Sequence, residues 1–333
     1  MTEAAIASPQ QRSEKIMSHN EALGMMEGLA IGNALGAYLE FSDRREPENY
    51  LREYKEGGPH KLKAGYWTDD TSMAIAIADA LQLAKGEFDA HIVMRNFCDW
   101  FTGGAFSSTE ECFDIGMTCE AALQKYMKDK TNPYCGGNDK YSSGNGAIMR
   151  MAPVIIAASS EKEAVDHALK QTMLTHGSAE CLLFSEAFAR ELWWGKTLPE
   201  YNKLRLDRGT PREDVKSSGY VRHTYEAAWW CVQNTSSFEA AVIEAVNLGG
   251  DADTIGAVTG QIAGRIYGET GIPDWMYEGL YAADAIRHLA QEIDGLSLSN
   301  HGTMADFGGS LCLHNCWIFV RRGDLEFSTL NAS

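Results

Sequence analysis

Apolar residues along this chain recur at three- and four-residue spacing with polar residues between them, the repeat of an amphipathic helix. "SAECLLFSEAFARELWW" is one such stretch. The spacing predicts helices over 70–85, 90–102, 112–128, 161–172, 178–194, 223–234, 237–248 and 275–292. Two more, over 20–41 and 247–268, carry a glycine at every fourth position: Gly24, Gly28, Gly32 and Gly36 in the first, Gly256, Gly260, Gly264 and Gly268 in the second. An interior glycine costs a helix about 1 kcal/mol relative to alanine, and residues four apart share one face. The stripes therefore predict close backbone approach between packed helices, or access for a ligand. Loops rich in Gly, Asn and Pro, notably 129–146, separate the helices. Residues 317–330, "WIFVRRGDLEFSTL", read as a small β-hairpin appended to an all-α core. Without βαβ alternation a dinucleotide-binding sheet is not expected.

Composition narrows the function classes. A chain of 333 residues buries a substantial core as one large or two ordinary domains. Its net charge of −17 argues against nonspecific binding to nucleic acid or to anionic membrane, which favour basic surfaces. No segment reaches the length of a membrane span, and the N-terminus has neither the basic start nor the apolar core of a signal peptide. A polar, mobile tail over 1–18 and a cytoplasmic location are the expectations. The eight cysteines then read as free thiols of a reducing compartment. Cys312, His314 and Cys316 cluster, but no second Cys/His pair stands at zinc-finger spacing.

Candidate chemistry sits at two helix openings. "GYWTDDTSMA" sets Thr68, Asp69 and Asp70 just before one apolar helix, and "NLGGDADTIGA" sets Asp251, Asp253 and Thr254 before another. Capping explains such residue types singly. If the two openings face each other, they offer four carboxylates and two hydroxyls, an oxygen-only set that suits Mg²⁺, Mn²⁺ or Ca²⁺ and disfavours zinc. A cation there meets the positive ends of two helix dipoles, which the carboxylates must outweigh.

The ordered series "IGNALGAYLEF", "GYWTDDTSMAIAIADAL", "STEECFDIG", "SSGNGAIMRMAPV", "GYVRHTYEAAWW" and "NLGGDADTIGAVTGQIAG" resembles the ADP-ribosylglycohydrolase family, most of all its bacterial dinitrogenase-reductase-activating glycohydrolase branch. The resemblance spans about residues 20–295. It implies a compact all-α catalytic domain, bounded here as 19–295 with a C-terminal extension over 296–333, that uses two Mg²⁺ or Mn²⁺ ions. The implied metal ligands are the six residues just named, which would cap their helices and bind metal at once. Glu40 and Asp114 are the implied catalytic carboxylates, each with an ordinary surface or capping role as its alternative. For substrate the resemblance implies the loop holding Ser143, Gly144, Asn145, Gly146, Ile148 and Met149, whose amides would cradle a pyrophosphate. His176 would stand near that pyrophosphate or a ribose, Tyr220 would stack on adenine, and Gly249 and Gly250 would complete the site. Arg150 would neutralise phosphate or form a structural ion pair.

Three positions depart from the family pattern: Asn33 in place of Asp, Met117 in place of Asn, and Ala147 in place of Ser. The expected activity is metal-dependent removal of ADP-ribose from a protein side chain, arginine foremost, with the modified protein as partner. The alternative is a protein that neutralises an ADP-ribosylating toxin by hydrolysis or by occlusion.

Overall fold

The structure, a computed structural model, describes residues 17–299 except residue 140. Its twelve described helices are α1 (His19–Gly36), α2 (Asp69–Leu83), α3 (Ala90–Gly103), α4 (Met117–Lys128), α5 (Ala152–Ile156), α6 (Glu161–Thr175), α7 (Ala179–Trp194), α8 (Val221–Gln233), α9 (Phe238–Val246), α10 (Ala252–Tyr267), α11 (Asp274–Glu278) and α12 (Ala283–Ser299). No strand forms among the described residues; the expected hairpin over 317–330 and the Cys312–Cys316 cluster lie outside them. No described helix is long and apolar enough to cross a membrane.

The two glycine stripes face each other. A Cβ added at Gly28 would stand 2.2 Å from Gly260 O, and one at Gly32 2.0 Å from Gly256 O. Gly24 meets Gly264 and Gly36 meets Ala252, so α1 and α10 run antiparallel with their backbones in contact. Of the two expectations for the stripes, close approach is the one realised. Around this pair the apolar faces of the other helices close a core that includes Trp67, Trp100, Phe184 and Phe238. Ser18 and Glu21 form a capping box at the start of α1, and Ser160, Ser178 and Ser237 cap α6, α7 and α9.

Two predicted helices are shortened or broken. The segment predicted over 112–128 winds only from Met117, because Asp114 is held at φ +60° and ends any helical run there. The span 275–292 splits into α11 and α12. Between them Ala282 takes φ +51°, Tyr281 N–H donates to Gly65 O, and Gly65 packs where a Cβ would lie 2.0 Å from Gly279 O. That contact is made by a segment far away in sequence, so local periodicity could not show it.

Candidate active site

Antiparallel packing brings the C-terminal end of α1 beside the N-terminus of α10, and α2 opens against both. Thr68 and Asp251 occupy the cap positions of α2 and α10, yet neither side chain caps its helix. This corrects the expectation of a double role: Thr68 turns across to Asp253, and Asp251 accepts from Asn145 instead. Thr68 Oγ1 donates to Asp253 Oδ2 at 2.7 Å and lies 3.2 Å from Asp70 Oδ2. Thr254 Oγ1 is 3.5 Å from the same Asp70 oxygen. One oxygen each from Asp69, Asp70 and Asp253 falls within 4.8 Å of the others.

Asn33, on α1, is the hub of this cluster. Its Nδ2 donates to Thr68 Oγ1 at 2.6 Å and Asp70 Oδ2 at 3.1 Å, and reaches Asp253 Oδ2 at 3.4 Å. Its Oδ1 accepts from Thr68 N–H and from Thr71 Oγ1. An aspartate could not donate in this way, so the departure at position 33 is built into the hydrogen bonding.

The donor set fits a divalent cation on two counts. Asp70 Oδ1 and Asp253 Oδ1 are buried with no hydrogen-bond partner, a costly state for a carboxylate that lacks a counter-charge. Burial, followed by repulsion among the acids, pushes Asp69, Asp70 and Asp253 well above the usual carboxylate range. Burial also raises Asp251, although Asn145 Nδ2 donates to its Oδ2 at 2.6 Å. All the candidate ligands are hard oxygen donors.

Above the cluster lies a cleft of about 800 Å³. Glu40, Asp69, Asp114 and Asp251 line it, so its charged lining is acidic, and Asn145 and Thr254 stand among them. His60 was missed in the sequence. Its Nε2 lies 2.6 Å from Glu40 Oε2 and 3.3 Å from Asp114 Oδ1, bridging the two candidate catalytic carboxylates. Asp114 and then Glu40 pull the imidazole up to about 10, so it is cationic at neutral pH. Burial raises Glu40 to about 7 against the pull of His60. The signal for His60 was the turn "GGPH", in which Gly57 and Gly58 take φ +119° and +71° and fold the chain back towards the cleft. The backbone is strained beside both acids: Phe41 sits at φ +59° and Asp114 at φ +60°, the kind of outlier that collects at functional sites. Phe41 N–H donates to Gly250 O at 2.6 Å, pinning the Glu40 segment to the loop before α10.

The loop expected to cradle a pyrophosphate does border the cleft through Ser143, Gly144, Gly146 and Met149. It is tied to the start of α8 by Asn145 N–H to Gly219 O and Val221 N–H to Ser143 O. Ile148 is buried in the core, and the N–H groups of Ile148 and Met149 are spent on Asn145 O. Any cradle is therefore narrowed to the loop's other amides. His176 and Tyr220 line the cleft, with Tyr220 Oη donating to Glu180. Gly250 lines it too, whereas Gly249 lies behind, where a Cβ would meet Ser42 O at 2.5 Å. Met117 projects at the rim, 86% exposed, and Ala147 is buried. Arg150 takes neither expected role: it is fully buried, and among the described residues it makes no ion pair.

Comparison with known proteins agrees with this architecture. The sequence model of the family described as ADP-ribosylglycohydrolase matches residues 14–302. An ADP-ribosylarginine hydrolase Tri1 of Serratia proteamaculans is 34% identical over 294 residues, covering 83% of this chain and 79% of that protein. The ADP-ribosyl-[dinitrogen reductase] glycohydrolase of Rhodospirillum rubrum is 33% identical over 276 residues, covering 78% and 90%. A solved structure described as an ADP-ribosylglycohydrolase-related protein complex superposes with a TM-score of 0.71 at 32% identity, over 84% of this chain and 98% of that one. With the helical architecture, the acidic cleft and these relatives in agreement, the chain belongs to the ADP-ribosylglycohydrolase family and is a glycosidic-bond hydrolase acting on ADP-ribosyl groups.

Proposed function

We propose that this enzyme removes ADP-ribose from arginine side chains of modified proteins. The observation that carries the reading is the acidic cleft, in which Glu40, Asp69, Asp114 and Asp251 surround the space where an arginine leaving group would sit. A guanidinium is cationic and planar, and it is matched by carboxylates. The relatives named as arginine hydrolases and as a dinitrogen reductase glycohydrolase support the same acceptor and a protein substrate. They lend no support to the toxin-neutralising alternative.

In this reaction a bond forms between a water oxygen and the anomeric carbon, and the bond from that carbon to the guanidine nitrogen breaks. The transition state is oxocarbenium-like, so the leaving nitrogen needs a proton and the water must lose one. Glu40, raised to about 7 by burial, is poised to exchange a proton near neutral pH. His60 holds Glu40 and Asp114 in one arrangement by donating between them. Thr68, Asp69, Asp70, Asp251, Asp253 and Thr254 are the residues that would hold Mg²⁺ or Mn²⁺, with two ions as the proposed number. When bound, such ions supply Lewis acidity toward ribose hydroxyls and a water. The Ser143–Gly146 loop, His176 and Tyr220 are proposed to receive the rest of the ADP-ribose.

The test is release of ADP-ribose, followed by mass spectrometry, from an arginine-ADP-ribosylated protein with Mg²⁺, with Mn²⁺ and with chelator. Release that requires metal and is lost in an Asp251→Ala, Asp253→Ala variant is expected. Release from a serine-linked substrate but not from the arginine-linked one overturns the acceptor assignment.

A further inference from the structure

Arg150 raises a question that the reaction leaves open. It is a fully buried cation with no carboxylate partner among the described residues, and burying an unpaired charge is costly. Its Nε donates to Gln171 Oε1 at 3.0 Å, and its Nη2 donates to Thr175 Oγ1 at 2.7 Å. The guanidinium lies over the Phe97 ring, 4.6 Å from its centroid. The hydroxyl of Thr175 in turn lies 2.8 Å from His176 Nδ1.

Donor arithmetic sets the direction of this chain. Arginine has donors only, so Thr175 Oγ1 accepts from it and has its own proton to give. The two neighbours able to take that proton are His176 Nδ1 and the Cys119 thiol. Burial raises the thiol's pKa, so it keeps its proton and is a weak acceptor. Nδ1 is the stronger acceptor, and an imidazole that accepts at Nδ1 carries its proton at Nε2.

We propose that Arg150 and Thr175 are positioning residues that lock His176 as the neutral Nε2–H tautomer, aiming one N–H donor at an acceptor oxygen of the ligand in the cleft. His176 lines the cleft, and Nε2 lies at the glycine loop: a Cβ added at Gly144 or at Gly146 would stand 3.2 Å from it. The backbone that carries the ring is fixed by the main-chain N–H of His176 to Thr172 O at 2.7 Å and by Gly177 N–H to Gly137 O at 2.8 Å. Burial, then the charge of Arg150, push His176 down to about 3, so it is uncharged at neutral pH. The opposite tautomer would present a lone pair to the anionic phosphate oxygens of ADP-ribose and repel them.

The ligand part of this inference rests on the proposed function, whereas the tautomer does not. The experiment is ¹⁵N–¹H correlation of the histidine rings in metal-loaded protein without ligand, with His176 assigned by its loss in a His176→Gln variant. A protonated Nε2 and an unprotonated Nδ1 at pH ~7 are expected; an Nδ1–H ring or an imidazolium overturns the proposal. In Thr175→Val the Nε2–H signature should be lost and the Kd for ADP-ribose should weaken about tenfold, the worth of one hydrogen bond. Thr175→Ser should restore both. An unchanged tautomer in Thr175→Val overturns the relay. If wild type shows the expected tautomer but binds no ADP-ribose, the relay stands and the proposed function falls.

Discussion

Replacing Asp253 by asparagine should stabilise the protein held in chelator while destroying its response to divalent ions. Asp69, Asp70 and Asp253 place oxygens within 4.8 Å of one another, all three buried. At an effective dielectric of ~20, two unit charges that far apart repel by about 3 kcal/mol. Asp253 takes part in two such pairs. Proton uptake and the amides at the helix N-termini relieve much of the repulsion, so the expected net gain for Asp253→Asn is about 2 kcal/mol. An asparagine oxygen can still accept from Thr68 Oγ1, so the hydrogen bond at that position survives. Unfolding entropy scales at about 2 cal/mol/K per residue, so the gain corresponds to a Tm rise of about 3 °C for a domain of this size. The assay is scanning calorimetry of both proteins with chelator and with Mn²⁺. Wild type should gain stability with Mn²⁺ by mass action, and the variant should not. If the variant melts at or below wild type in chelator, or if Mn²⁺ raises both equally, the acidic cluster is not held together at a cost for the sake of a cation.

Gly260→Ala would set a Cβ 1.8 Å from Gly28 O; overpacking of this kind should cost about 3 kcal/mol in urea denaturation, and a loss under 1 kcal/mol would mean that α1 and α10 separate easily. His60→Gln removes the cation shared by Glu40 and Asp114 and should lower kcat about a hundredfold with the Mn²⁺-induced Tm shift intact; unchanged kcat would reduce His60 to a surface contact. Glu27 is buried, and burial raises it to about 7 even though Arg287 Nε donates to it at 2.7 Å. A carboxyl with a raised folded pKa contributes stability that is complete below ~4.5 and lost as pH climbs through ~7. Calorimetry from pH ~5 to ~8.5 should therefore show Glu27→Gln gaining on wild type as pH rises; a constant gap refutes the assignment.

The long helices and the two acidic openings were legible because both are local patterns: a 3.6-residue repeat and short runs of oxygen-bearing side chains. The glycine stripes were legible for the same reason, and their match across α1 and α10 turned a periodicity into a contact. What could not be read depends on partners distant in sequence. The break at 279–282 is imposed by Gly65, and His60 matters only because the chain folds it against Glu40 and Asp114. Thr68 and Asp251 look like caps by residue type, yet Thr68 donates across the cluster to Asp253 and Asp251 accepts from Asn145, partners that only the folded chain supplies. Asn33 was legible as a departure but not as a hub, since its five hydrogen bonds involve α2 and α10.

Two helix N-termini oppose a cation at the cluster, and the packing of α1 offsets part of that opposition. A helix N-terminus carries about half a positive charge and a C-terminus about half a negative one. The N-termini of α2 and α10 both face the cluster, but the antiparallel glycine contact lays the C-terminal end of α1 against Ala252 and Asp253. Its carbonyl end offsets the α10 dipole at that point, leaving the α2 N-terminus as the main opposing dipole. Against that residual half charge stand four carboxylates, Asp69, Asp70, Asp251 and Asp253, in a space where Asn33 contributes no charge of its own. With all four ionised the balance is more than three negative charges, enough to hold a divalent cation against the α2 dipole. The glycine stripes thus act on the chemistry as well as on the packing: without the close approach of α1, the helix ends that gather the acids would also repel the ions the acids are suited to hold.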